Sequence, residues 1–136
     1  LRSIGALHRL EGLFLHGTHI DDDGMKHLEQ LTLLTDLHFS NTAVTDRALV
    51  HLKGLTKLKD LDLAKTKVTD RGLENLKGLT QLDRLRIAGT GVTDDGLEHL
   101  KGLAGLKLLN IKQTKVTSAG IARLKKAIPG LAIEDW

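Results

Sequence analysis

Residues 58–82 read LKDLDLAKTKVTDRGLENLKGLTQL, and 24 positions later the chain reads LDRLRIAGTGVTDDGLEHLKGLAGL. Shifted 24 positions the other way it reads LTDLHFSNTAVTDRALVHLKGLTKL. A fixed period of this length means that one supersecondary unit is written repeatedly. Each copy is too small to bury its own apolar face, so the chain must form a stack in which neighbours cover one another.

The pattern L-x-x-L-x-L-x-x-T-x-[VI]-[TD]-x-x-[GA]-[LIM]-x-x-L begins at Leu10, Leu34, Leu58, Leu82 and Leu106. Its L-x-L centre (Leu13/Leu15, Leu37/Phe39, Leu61/Leu63, Leu85/Ile87, Leu109/Ile111) has the period of two of a short strand. The second half has helical spacing, as at Leu73 and Leu76. Its start is marked by a capping threonine, an aspartate in the first turn and a valine ahead of the cap. In one copy, Val44 and Leu49 flank Thr45-Asp46 at the spacing of a hydrophobic staple. The Lys-Gly pairs at 53–54, 77–78 and 101–102 predict a left-handed glycine stop at each helix end.

These motifs resemble leucine-rich repeats, in particular a bacterial 24-residue T-D-x-G-L variant similar to the ribonuclease-inhibitor-like repeats. The resemblance covers nearly the whole chain. It implies an α/β leucine-rich repeat solenoid, a right-handed βα superhelix with about six short parallel strands on the concave side and short helices on the convex side. It also implies a non-enzymatic module that binds protein or peptide through the concave face. The expected organisation is a single unit over 1–136: a partial repeat at 1–9, the five repeats, and a C-terminal cap at about 128–136. Leu1, Ile4, Leu7 and Leu10 match Leu49, Leu52, Leu55 and Leu58, so the chain opens inside a repeat and is expected to continue upstream. Leu131-Ala132-Ile133 can supply a sixth strand, and Trp136 is expected to cover the last layer.

Composition narrows the function classes. There is no cysteine, which removes disulfides and thiolate metal sites. Only Phe14, Phe39 and Trp136 are aromatic, so the core must be aliphatic. The net charge of +3 is small beside what a phosphate-tracking surface carries, and nucleic acid is not the expected partner. Apolar runs are too short for a membrane span. No nucleophile elbow, phosphate loop or H-E-x-x-H motif occurs, and neither an enzyme nor a cofactor is expected.

The other polar features have structural readings. The threonine ladder Thr18, Thr42, Thr66, Thr90 and Thr114 is read as scaffold, its hydroxyls satisfied by neighbouring loops. The run Asp21-Asp22-Asp23 lacks alternating calcium-loop spacing and is read as helix capping. His27, His51 and His99 lie on one helical row, in units whose helices stand ~8–10 Å apart, and are read as solvated; no metal site is expected.

Specificity is left to the concave side chains, which alternate with the core. The candidate partner-binding residues are Phe14, His16, Asp36, His38, Asp60, Asp62, Arg84, Arg86, Leu108, Asn110 and Lys112. Asp60 and Asp62 lie one strand from Arg84 and Arg86, so ion pairs across the ladder are expected. Phe14, flanked by His16 and His38, is the expected aromatic anchor. Two other readings compete. One is a structural spacer within a larger protein that self-associates through its open N-terminal end. The other is an anion-binding surface on Lys107, Lys112, Lys115, Arg123, Lys125 and Lys126.

Overall fold

The computed structural model describes residues 1–136. Each repeat folds as the period requires. Strands β1 (Gly12–Phe14), β2 (Asp36–His38), β3 (Asp60–Asp62), β4 (Arg84–Arg86), β5 (Leu108–Asn110) and β6 (Ala132–Glu134) form one parallel sheet in sequence order. The register follows the 24-residue spacing, with Leu13, Leu37, Leu61, Leu85 and Leu109 in line. On the opposite side lie α1 (Asp22–Met25), α2 (Asp46–Leu49), α3 (Asp70–Leu73), α4 (Asp94–Glu98) and α5 (Ser118–Ala127). The first three helices are single α-turns that tighten into 3-10 turns at Lys26–Leu28, Val50–Leu52 and Glu74–Leu76. A fourth 3-10 turn, Ile4–Ala6, opens the chain.

The leucines of the pattern meet between the two sides in one continuous core of 33 buried hydrophobic residues. Phe39 is its one aromatic side chain, fully buried where the other repeats place Leu or Ile. Because each layer packs only on the next, removing one leucine opens a void that only the two adjacent layers can close.

What joins one convex unit to the next is a carboxylate. Asp46 in α2 accepts from the backbone N–H of Thr69 at 2.6 Å and from its hydroxyl at 2.6 Å. Asp22 does the same to Thr45, Asp70 to Thr93 and Asp94 to Thr117. The aspartate does sit in the first turn, as the dipole favours, but both its oxygens are also committed to the cap of the following repeat. The glycine of the motif makes room for this clamp. A β-carbon on Gly72 would lie 2.5 Å from Asp46 Oδ1, and one on Gly96 or Gly120 would collide with Asp70 or Asp94. In α2 the equivalent residue is Ala48, and the Asp22 clamp there still closes at 2.8 and 2.7 Å.

Three expectations change. Gly54, Gly78 and Gly102 are not left-handed. The positive-φ residues are Gly17, Asn41, Lys65, Gly89 and Gln113, between +54° and +66°, all at the turn just after the strand. The helices instead leave through successive tight turns, as in Leu55 N–H to Leu52 O at 2.9 Å and Leu58 N–H to Leu55 O at 3.1 Å, which need no left-handed residue. The threonine ladder is scaffold, yet each hydroxyl donates within its own repeat, Thr66 to Leu63 O at 2.7 Å and Thr90 to Ile87 O at 2.6 Å. Trp136 is 93% exposed and covers nothing; Ile128 and Leu131 close the last layer.

Candidate functional site

The concave surface is built by the strand residues on either side of each buried leucine. Period-two geometry turns Gly12, Asp36, Asp60, Arg84 and Leu108 to this face in one row, and Phe14, His38, Asp62, Arg86 and Asn110 in the next. His16 and Lys112 follow just beyond their strands.

The two aspartates of β3 have different roles, which departs from the expected pairing of both with the arginines. Asp60 is the hub: only 7% exposed, it receives Arg86 Nη1 at 2.6 Å and Arg84 Nη1 at 3.6 Å. His38 Nε2 lies 3.2 Å from the same carboxylate, but the angle is poor, and that buried nitrogen makes no hydrogen bond. Asp62 pairs with neither arginine. Its Oδ1 accepts from Ala64 N–H at 2.9 Å, closing the turn beyond the strand. Asn110 repeats this device on Lys112 N–H at 3.1 Å and also donates to Glu134 at 2.8 Å. Asp36 is turned toward Thr35, whose hydroxyl donates to it at 2.6 Å. A sequence pattern of Asp or Asn two residues ahead of a turn residue was available to reveal these local caps.

At the N-terminal half the face changes character. Phe14 is 58% exposed, and the edge of its ring system meets His38 with centroids 4.8 Å apart and planes at 86°. His16 stands 6.5 Å from Phe14 and 6.2 Å from His38. Its Nδ1 is 3.4 Å from Ser40 Oγ. His16, His38 and Asp62 each offer one atom able to ligate a metal, and those atoms lie within 4.8 Å of one another. The grouping follows from the strand register, which sets His38 beside Asp62, and not from the helical row of histidines. His27, His51 and His99 are half-buried rather than fully solvated, and His51 is tied to Glu29 of the preceding repeat.

The basic C-terminal residues are partly neutralised. Lys107 lies 3.3 Å from Asp83, and Arg123 lies 3.4 Å from Asp94 and 3.5 Å from Glu98. The Thr117 hydroxyl and backbone N–H, with Arg123 beside them, hold the Asp94 carboxyl below its usual value of 3.8. Lys101, which donates to Glu98, is the main cause of a similar lowering there.

A family model described as Leucine Rich repeat matches residues 54–77, the central unit with its flanking turns. With six parallel strands at one 24-residue register, this decides the architecture. The fold is a leucine-rich repeat solenoid. Solved structures share this leucine-rich repeat path. An internalin from Listeria monocytogenes superposes with a TM-score of 0.86 at 24% identity, over 100% of this chain and 37% of its own. A second internalin from that organism gives 0.74 at 22% identity, over 98% of this chain and 55% of its own. A leucine-rich repeat protein from Leptospira interrogans gives 0.67 at 20% identity, over 96% of this chain and 38% of its own. The chain thus spans between about a third and just over half of these structures. No curated protein sequence matches it. No helix is long and apolar enough to cross a membrane.

Proposed function

We propose that this chain is a non-enzymatic binding module that holds a protein or peptide against its concave sheet. The observation that carries the reading is Phe14, the large hydrophobic side chain that stands exposed on that sheet. Removing a mostly exposed phenylalanine from water is a large favourable term, and such aromatics dominate the energetics of protein interfaces. The charged strip on β3 and β4 supplies orientation. Asp60 consumes much of the Arg86 charge, whereas Arg84 is 59% exposed at its side chain and has only a long contact to Asp60. A partner lying across the strands would therefore meet an aromatic-histidine patch at one end and an exposed guanidinium further along. Six strands at ~4.8 Å give a groove of ~24 Å, sufficient for a standard-sized interface.

The test uses Phe14→Ala and Arg84→Glu, which alter exposed side chains and leave the Asp60–Arg86 pair intact. With a partner recovered by cross-linking to the native protein, the alanine variant should weaken binding about tenfold or more. The charge reversal should lower the association rate and change its salt dependence. Affinity unaltered in both variants would place the binding surface elsewhere.

A further inference from the structure

We propose that His16, His38 and Asp62 form a binding site for a zinc-class divalent metal ion on the concave face. The site stands independently of the partner-binding reading, since it needs only the free chain.

The donors come from three consecutive repeats, which the sheet brings to one place. Their ligating atoms lie within 4.8 Å of one another, while a tetrahedral ion at ~2.0–2.1 Å from each donor needs them about 3.4 Å apart. Side-chain rotation closes that gap. His16 is exposed and held only by the 3.4 Å approach to Ser40, so it is free to swing. Asp62 uses Oδ1 on Ala64 and makes no other side-chain hydrogen bond. The arginines that would otherwise neutralise it are drawn to Asp60 instead, with Arg86 at 2.6 Å and Arg84 at 3.6 Å.

His38 supplies the second imidazole. Its Nε2 is buried and makes no hydrogen bond, the Asp60 carboxylate 3.2 Å away being poorly aligned with it and itself held by Arg86, so that nitrogen is not committed within the fold. Two imidazoles and a carboxylate select zinc, cobalt or nickel over calcium and magnesium, which prefer all-oxygen cages. Phe14 packs edge-on against His38 and shields one side of the site. Three protein donors leave a coordination position facing the groove.

The experiment titrates tag-free, metal-stripped protein with Co2+, followed by visible absorption, and with Zn2+ by calorimetry. The expected result is a single saturable equivalent. Binding should weaken by at least about tenfold in His38→Ala and in Asp62→Asn, the second of which keeps an acceptor for Ala64 N–H. His51→Ala and His99→Ala should bind as the parent does. Imidazole 15N resonances of the unmutated protein give a readout that needs no variant: Zn2+ should shift His16 and His38 and leave the other histidines in place. Failure to saturate at one equivalent, shifts at other histidines, or unchanged affinity in a folded Asp62→Asn variant would overturn the site.

Discussion

Replacing Asp70 with alanine removes one clamp from the middle of the stack. The carboxylate accepts at 2.7 Å from Thr93 N–H and at 2.6 Å from the Thr93 hydroxyl, 23 residues away. A hydrogen bond to a charged group contributes ~1.5–3 kcal/mol, and partial solvent access at Asp70 places each bond at the low end. The expected cost is therefore about 2–3 kcal/mol. In urea, with a slope of ~2 kcal/mol/M, the midpoint should fall by about 1–1.5 M. The neighbouring Asp95 is exposed and contributes only its backbone N–H, to Thr93 at 3.3 Å, so Asp95→Ala should cost less than ~0.5 kcal/mol. A double-mutant cycle of Asp70→Ala with Thr93→Ala should give a coupling of about 1–2 kcal/mol. Equal midpoints for the Asp70 and Asp95 variants, or a coupling near zero, would refute the inter-repeat clamp.

Other outcomes follow from the same geometry. Leu61→Ala, in a fully buried layer of the stack, should cost ~2–5 kcal/mol by chemical denaturation, far above the same change at half-buried Leu10. Gly89→Ala forces a β-carbon into φ +66° and should lose ~1–2 kcal/mol, whereas Gly54→Ala, with open space around its β-carbon, should be neutral or slightly stabilising. The native state holds Asp94 ionised more strongly than the unfolded chain does. Its contribution is therefore complete above the ordinary value of 3.8 and is lost as pH falls toward the lowered native value; Asp94→Asn should flatten the stability profile in that acid window.

The strands and their register were legible because a period-two pattern recurring every 24 residues allows one alignment only. Leu61 faces Leu85 for the same reason that their sequences superimpose. The capping threonines were legible too, since Thr45 and Thr93 accept from the second helical residue as local capping demands. What escaped were relationships between repeats and places where glycine had the wrong attraction. The Asp46–Thr69 clamp joins residues 23 apart, so each looks complete as a local cap. Lys-Gly at a helix end suggests a left-handed stop, but the left-handed turn lies after the strand, where Lys65 and Gln113 adopt it without being glycine. The structure shows no conformational need for glycine at 54, 78 or 102. On the concave face the rows were legible, but the partners within them were not. Asp60 and Asp62 are equivalent by pattern, and only the packing shows that the first gathers both arginines and the second turns to Ala64 N–H.

The concave-face account is tested most directly by amide chemical-shift mapping with the tightest peptide selected from an unbiased display library on the 136-residue chain. The account predicts the largest perturbations along the strands, centred on Phe14, His38 and Asp62 and reaching Arg84. Perturbations centred on the convex helices, at Asp46–Leu49, Asp70–Leu73 and Asp94–Glu98, with the strand amides unmoved, would contradict it.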